Sequence, residues 1–427
     1  MIEAIPVEQD RIFAYRLSGR ISLEEMQRFL EELDGLIRER GRIALLLELR
    51  ELAGVEPDAL FEDARFGLDH PRGFARIAIV GESGWQRWLS LLMRPFVSAP
   101  MRFFGQEDLQ QAWAWLEKAF APAPQTVETP DGYTHLLVAM DFSTNSLHAL
   151  DRALHLAGHW GARISLVHVV EEPLFLYESL GDPVLPPPPP DLEEKMVAAA
   201  EKRMGELVDR YPDQISEYQI LVGPTAERIL EWGEAHQADL ILTGAHRHGR
   251  LEALLGSVSR ALVRDAKCDV LAVRQAAVHY RRILCPVDFG ETSLLAAGRA
   301  TDLAKHCEAH LDLYHVIDYF PEDIPMEWIA PEDQDPETFL QHRAEQSLQG
   351  VQVSLEAARV HRTVQIAEYS AGQEIVRFAD RHHDDLIVLP RRAHKGLFHH
   401  IGHTTSTVLN RASCDVLVCI QGLRDEP

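Results

Sequence analysis

The sequence predicts an α/β protein of three domains: one α/β module followed by two doubly wound parallel sheets. The first observation behind this is that the last two-thirds of the chain is written twice. Leu137-Val-Ala-Met-Asp141-Phe-Ser recurs as Leu284-Cys-Pro-Val-Asp288-Phe-Gly, and His168-Val-Val as His315-Val-Ile, both at an offset of 147 residues. Cys268-Asp-Val-Leu-Ala-Val recurs as Cys414-Asp-Val-Leu-Val-Cys at an offset of 146, so the copies align with little slippage. The second observation is that strand-like and helix-like segments alternate within each copy, which builds a parallel sheet with helices on both faces. The length of 427 residues fits three domains at roughly 100–200 residues each.

Residues 1–120 lie outside the repeat. Residues 11–18 alternate like a strand. Ser22 and Glu25 form a capping box, each side chain satisfying a free backbone N–H, and open a helix to about Arg40 with Met26, Phe29, Leu30, Leu33 and Ile37 on one face. Residues 43–49 and 75–80 read as buried strands with a helix over 58–70 between them. Helices over 85–93 and 109–120 flank a short strand at 101–104. Residues 121–132, rich in proline at their start, form a linker.

Each repeat, 133–275 and 280–421, then reads strand, helix, strand, long helix, strand, helix, strand, glycine-containing loop, helix, strand. The first copy carries five consecutive prolines, Pro186 to Pro190, a stiff extended lead into the following helix.

Composition narrows the partners. A formal net charge of −24 speaks against nucleic acid or an anionic membrane bound through bulk charge. The five cysteines contain no C-x-x-C pair, no leader precedes Met1-Ile-Glu-Ala, and no apolar run is long enough for a transmembrane segment. The expectation is a cytoplasmic protein with reduced thiols.

The loop after the fourth strand of each repeat is where such a sheet places a ligand, because the carboxyl ends of parallel strands open a crevice. In the first copy it runs from Gly244 through Ala245, His246 and Arg247 to Gly256-Ser257-Val258. Glycine lets backbone amides approach an anion, and a helix beginning at Gly256-Ser257 offers its free N–H groups and dipole to phosphate. Asp141, ending the first strand, faces the same crevice. A glycine loop alone is weak evidence, since glycine also closes ordinary turns.

Together, Asp141-Phe-Ser, the 27-residue step to His168-Val169, Ala238-Asp-Leu-Ile-Leu-Thr-Gly244, Gly256-Ser-Val and Cys268-Asp-Val-Leu-Ala-Val make a pattern that resembles the universal stress protein family. The resemblance implies a doubly wound, adenine nucleotide alpha hydrolase-like fold in which nucleotide-binding members hold ATP. By that analogy Met140, Asp141 and Val169 flank the adenosine of ATP or AMP, with or without Mg²⁺. Gly244, Ala245, His246, Arg247, Gly256, Ser257 and Val258 cradle the phosphates. The family also pairs through the last strand of the sheet, so the two copies are expected to form an intrachain pseudo-dimer through residues 268–273 and 414–420, with further homo-oligomers left open.

The departures are informative. The family's loop is Gly-x-x-Gly, whereas Arg247 stands at the second glycine position; its guanidinium either crowds the phosphates or pairs with them. The usual proline two residues before the aspartate is Ala139. In the second copy Val287, Asp288 and Val316 are retained. Its loop, however, has Pro390 for the first glycine, which removes an N–H, and Ala393 for the second. Gly402, His403 and Thr404 remain as a degenerate helix start. The first copy is therefore expected to bind nucleotide and the second to be structural.

The second loop also holds Arg391, Arg392, His394, Lys395, His399 and His400. Their irregular spacing and the lack of cysteine or carboxylate make zinc the weaker reading and a weak anion site the stronger one, so no metal is assigned. His168 and His315 read as satisfied core histidines, and Cys268 and Cys414 as small packing residues. No catalytic set emerges, because Asp141 and Ser257 lack a companion base.

In the first domain Gly19-Arg-Ile-Ser, Leu46-Leu-Glu-Leu, Phe61-Glu-Asp-Ala-Arg-Phe-Gly-Leu and Phe74-Ala-Arg-Ile-Ala-Ile-Val resemble the SpoIIAA-like group, related to STAS and Sec14-type folds. Where STAS antagonists carry a phosphorylatable serine, residues 50–60 hold neither serine nor threonine, so that switch is not expected. Trp85, Trp88, Leu89, Leu92, Met93 and Phe96 would give the helix there an apolar face, read as core before lipid or partner contact. The combined reading is a non-enzymatic stress-response protein that senses adenine nucleotide and signals through protein partners of its first domain. A nucleotide-free interaction scaffold and a slow ATPase are the alternatives.

Overall fold

The computed structural model describes residues 1–7, 11–55, 73–81, 101–117, 119, 132–171, 189, 191–245, 256–276, 279–317, 335–351, 359–391 and 401–420. The helices expected at 58–70 and 85–93, most of the linker and proline run, and loop residues His246, Arg247 and 392–400 lie outside these.

The first domain is a five-stranded sheet, β1 (Ile2–Ile5), β2 (Ile12–Ile21), β3 (Ile43–Val55), β4 (Phe74–Gly81) and β5 (Met101–Gly105), ordered β1-β2-β3-β4-β5. Helix α1 (Leu23–Arg40) starts at the expected capping box: the Glu25 amide donates to Ser22 Oγ at 3.3 Å, and the Ser22 amide donates to Glu25 Oε2 at 3.1 Å. Alternation assigns the faces. Ile43, Leu45 and Leu49 pack with Met26, Phe29, Leu30 and Leu33 of α1, while Ala44 and Leu46 pack with Ala112 and Leu116 of α2 (Leu109–Glu117) on the other side.

Several bounds differ from expectation, and one strand is added. Strand β3 continues past Leu49 to Val55 because β2 runs on beside it, with the register shifting around Gly19, whose φ is +64°. Helix α2 stops at Glu117 rather than 120. Strand β1 was not expected from the sequence; it adds antiparallel to β2, with Ile2 and Ile5 packed against the two cores of the domain.

The first repeat contains β6 (His135–Ala139), α3 (Thr144–Trp160), β7 (Arg163–Val170), α4 (Leu192–Val208), β8 (Glu217–Val222), α5 (Thr225–Ala235), β9 (Leu240–Gly244), α6 (Ser257–Asp265) and β10 (Asp269–Val273). The second contains β11 (Arg282–Pro286), α7 (Glu291–His306), β12 (His310–Ile317), α8 (Pro336–Gln349), β13 (Val360–Ile366), α9 (Ala371–His382), β14 (Leu386–Pro390), α10 (His403–Arg411) and β15 (Asp415–Cys419). This is the expected order of elements in both copies.

The two repeats share one ten-stranded sheet, ordered β13-β12-β11-β14-β15-β10-β9-β6-β7-β8. Each half is parallel, and the halves meet through the antiparallel pair β10–β15, with Val270 opposite Val418 and Ala272 opposite Val416. The expected pseudo-dimer is therefore present inside one chain, and neither strand is left as a free edge. Hydrophobic cores on both sheet faces run continuously through both copies, including Ala149 and Leu150 of α3 with Ala296 and Ala300 of α7 on one face.

Buried ionic clusters fasten the junction in matching pairs. Asp415 Oδ2 lies 2.9 Å from Arg152 Nη2 of the other repeat, with the two side chains 0% and 1% exposed. The same carboxylate accepts from Tyr280 Oη at 2.9 Å and from the Arg274 and Gln275 amides at 2.8 and 3.1 Å. The Arg152 guanidinium lies 3.9 Å from the Tyr280 ring centroid. In the related position Asp269 accepts from Tyr133 Oη at 2.8 Å and the Ile420 amide at 2.7 Å, with Arg299 Nε of the other repeat at 3.4 Å. Burial, then the neighbouring carboxylate, pushes the Tyr280 phenol well above its ordinary range. Desolvation raises the Asp415 carboxyl, against the pull of Arg152 and the two amides.

Away from the junction the copies diverge. At the amino end of its sheet the second repeat buries Asp384 beside Asp312, with Arg282 Nη2 2.7 Å from Asp312 and Arg282 Nε 3.4 Å from Asp384. The first repeat has His135 and Ser165 there, hydrogen-bonded at 2.8 Å. Burial, followed by the Asp312 charge, raises the Asp384 carboxyl to about 7, against Arg282. The folded chain thus holds this proton to a higher pH than the unfolded chain, so stability falls as pH rises from about 4 through 7. Asp384→Asn is expected to add on the order of a few kcal/mol at pH 8 and almost nothing at pH 4. Urea midpoints of both proteins across that range test it; a gain that grows toward pH 4 would refute the assignment.

Candidate functional site

The order β8-β7-β6-β9-β10 reverses between β6 and β9, so a crevice opens beyond their carboxyl ends. Residues of the first-repeat set that the structure describes gather around this end. Met140 and Asp141 follow β6, Val169 lies near the end of β7, Gly244 ends β9, and Gly256-Ser257-Val258 open α6. Met140 and Val169 turn their side chains into cores on opposite sheet faces.

Asp141 is exposed, and its Oδ1 accepts from the Ser143 amide at 2.9 Å, forming a tight Asx turn. Phe142 between them has a left-handed φ of 60°, an unusual conformation for a bulky residue. Its ring is held against His168 at 4.7 Å, and the Arg203 guanidinium lies 4.5 Å from the ring centroid. The second copy repeats the device: Asp288 accepts from the Gly290 amide at 3.0 Å, Phe289 has φ 58°, and its ring lies 4.6 Å from His315. Backbone strain of this kind concentrates at functional positions. Neither phenylalanine stands out as a site residue in the sequence, where the Asp-Phe pair shared by both copies is the available signal.

The two histidines behave as expected. His168 Nδ1 donates to the Met140 carbonyl and His315 Nδ1 to the Val287 carbonyl, each at 2.7 Å. Cys268 and Cys414 are buried and free, their thiols pushed up by burial, Cys268 to about 12.

The two glycines at the loop ends serve different needs. A Cβ on Gly244 would lie 2.6 Å from the backbone carbon of Asn145 and the Ser146 nitrogen. Glycine there admits the first turn of α3, where Asn145 Nδ2 donates to the Ala245 carbonyl at 3.0 Å. Among the described residues, nothing lies within 4 Å of a Cβ built on Gly256. It is the N-cap of α6 with no side-chain capping bond, and Ser257 behind it is exposed. The start of α6 therefore presents backbone N–H groups that no side chain caps among the described residues.

In the second copy Val287, Asp288 and Val316 take corresponding places after β11 and in β12. Gly402 caps α10, whose first residues are His403 and Thr404, again without a side-chain bond. Pro390 ends β14 where Gly244 ends β9. The expected anion site in this loop loses one of its members. Arg391 Nη1 donates to the carbonyls of Val263, Arg264 and Ala266 at 3.1, 2.7 and 2.9 Å, so it caps the carboxyl end of α6 in the other repeat. Helix-end carbonyls need donors, and the repeat junction brings this arginine to them. Arg274 reciprocates by donating to the Leu409 carbonyl at the end of α10.

Among the described residues no three His, Cys, Asp or Glu side chains enclose a metal position, and no helix is long and apolar enough to cross a membrane.

The family model described as the universal stress protein family matches residues 132–274 and 279–419, and the SpoIIAA-like model matches 12–117. Universal stress protein A homolog 2 of Coxiella burnetii is 38% identical over 147 residues, spanning 34% of this chain and 97% of that protein. Homolog 1 from the same bacterium is 34% identical over 141 residues, spanning 33% of this chain and 96% of its own. The crystal structure of a universal stress protein from Archaeoglobus fulgidus aligns with TM-score 0.50 at 19% identity, covering 68% of this chain and 98% of that one; at that identity the likeness is one of fold. With both repeats matched along their length, the chain belongs to the universal stress protein family, carrying two such domains in tandem behind a SpoIIAA-like domain.

Proposed function

We propose that the first universal stress domain binds an adenine nucleotide, ATP or AMP with or without Mg²⁺, and that the bound state is read by protein partners of the N-terminal domain in the cytoplasm. The observation that carries this reading is the uncapped start of α6 at the β6–β9 switch point, where no described residue lies within 4 Å of a Cβ on Gly256 and Ser257 is exposed. Amide donors and a helix dipole there favour a phosphate. The second domain is read as structural, since Pro390 removes a donor. The protein acts as a sensor rather than an enzyme in this reading.

Gly256 is a useful probe, because its φ of −55° suits alanine and, among the described residues, the new methyl meets no atom within 4 Å. Calorimetry with ATP and AMP, after chromatography of any nucleotide released on denaturation, tests the proposal. Gly256→Ala/Ser257→Ala is expected to weaken binding by about tenfold or more at unchanged stability, and Gly402→Ala to leave it intact. No bound nucleotide and no binding heat at millimolar ligand would leave the scaffold reading. Metal-dependent ATP turnover that falls in Asp141→Asn would make the protein a slow ATPase instead.

A further inference from the structure

We infer that His155 and His159 of α3, joined by His279 from the segment between the repeats, form a binding site for a zinc-class divalent cation. The sequence reading assigns no metal to this chain and does not single out these histidines; packing brings them together.

The helix supplies the pair. Residues four apart lie on one face of a helix, and here His155 Nε2 and His159 Nε2 are 3.2 Å apart. Two imidazoles on one tetrahedral zinc, each at about 2.0–2.1 Å, place their nitrogens roughly 3.3 Å apart. The pair therefore already has the bite of a chelate. In the neutral pair one imidazole shares its Nε2 proton with the other. On metal binding each ring holds its proton at Nδ1 and turns its Nε2 lone pair to the ion.

The third imidazole comes from the other repeat's side of the junction. The His279 ring centroid is 4.2 Å from that of His155, at 83°. No trio is closed as the side chains stand; the proposed site requires the exposed His279 to turn its ring about its own side-chain bonds toward the pair. A water fills the fourth position of such a three-histidine site.

The neighbouring cation, Arg152 one turn away, is ion-paired with Asp415 at 2.9 Å, which weakens its repulsion of a bound cation. The consequence is mechanical. A bound ion ties residue 279, next to Tyr280 of the buried Asp415 cluster, to α3 of the first repeat, and stiffens the pseudo-dimer.

The test is calorimetric titration of the chelator-stripped full chain with Zn²⁺, paired with thermal unfolding. One ion per chain is expected, with a higher Tm when zinc is present. His155→Gln/His159→Gln, and separately His279→Gln, should weaken binding by at least about tenfold and abolish the zinc-dependent Tm shift. His394→Gln/His399→Gln/His400→Gln should keep both. Since the three proposed ligands are exposed or half-buried, the glutamine variants should keep the wild-type Tm without metal, which separates ligand loss from misfolding. Binding weaker than millimolar, or binding that survives in His155→Gln/His159→Gln and disappears in the loop variant, would overturn the site.

Discussion

Asp415→Ala is expected to lower the unfolding free energy of the tandem unit by about 3–5 kcal/mol. The change leaves Arg152 charged and almost fully buried without this carboxylate. It also strips an acceptor from the Tyr280 hydroxyl and from the Arg274 and Gln275 amides. Unpaired buried donors cost their desolvation in full. Removing both ends of the ion pair should hurt less than the two single changes summed, because an uncharged side chain at 152 needs no counter-ion. A double-mutant cycle of Asp415→Ala with Arg152→Met, read from urea unfolding, would give that coupling. A single-variant loss below about 1 kcal/mol would mean the cluster is an incidental ion pair rather than the fastening of the repeats.

Gly244→Ala is expected to cost about 1–3 kcal/mol and to weaken nucleotide binding at the same time. The added methyl would press on the backbone of Asn145 and Ser146 at 2.6 Å, and backbone in a helix start cannot move aside as a flexible side-chain end does. Helix α3 must shift, carrying the Asp141–Ser143 turn at the crevice rim with it. Gly256→Ala is the contrast, expected to lose ligand without losing stability. If Gly244→Ala melts like the parent, the close approach does not govern this position. If it melts lower yet binds ATP normally, the glycine serves packing alone and the phosphate-loop reading of Gly244 falls.

The contrast between these glycines shows how far a sequence motif can be trusted. In the linear pattern both are loop glycines of a phosphate-binding type. In the structure one is demanded by a neighbouring helix and the other is crowded by no described residue. The histidines divide the same way. His168 and His315 were legible as satisfied residues because each ends a buried strand in both copies. His155 and His159 are four apart on a helix in one copy only, and their meaning depends on His279. Arg391 reads in the sequence as one of several basic loop residues, whereas in the fold its guanidinium is spent on the end of α6.

By itself the sequence determined the duplication, the order of strands and helices, the capping box at Ser22 and the placement of the crevice after β6 and β9. Each of these follows from local propensity, from periodicity within an element, or from the likeness of the copies. Only the tertiary structure decided the left-handed Phe142 and Phe289, the addition of β1, the exchange of arginines between helix ends and the Asp–Arg–Tyr clusters at the junction. Tyr133 and Tyr280, Arg152 and Arg299, and Asp269 and Asp415 do recur at the repeat spacing. Recurrence alone, however, does not say which aspartate meets which arginine. That choice is made by the antiparallel pairing of β10 with β15, which carries each carboxylate to the arginine of the opposite repeat and excludes water from the pair.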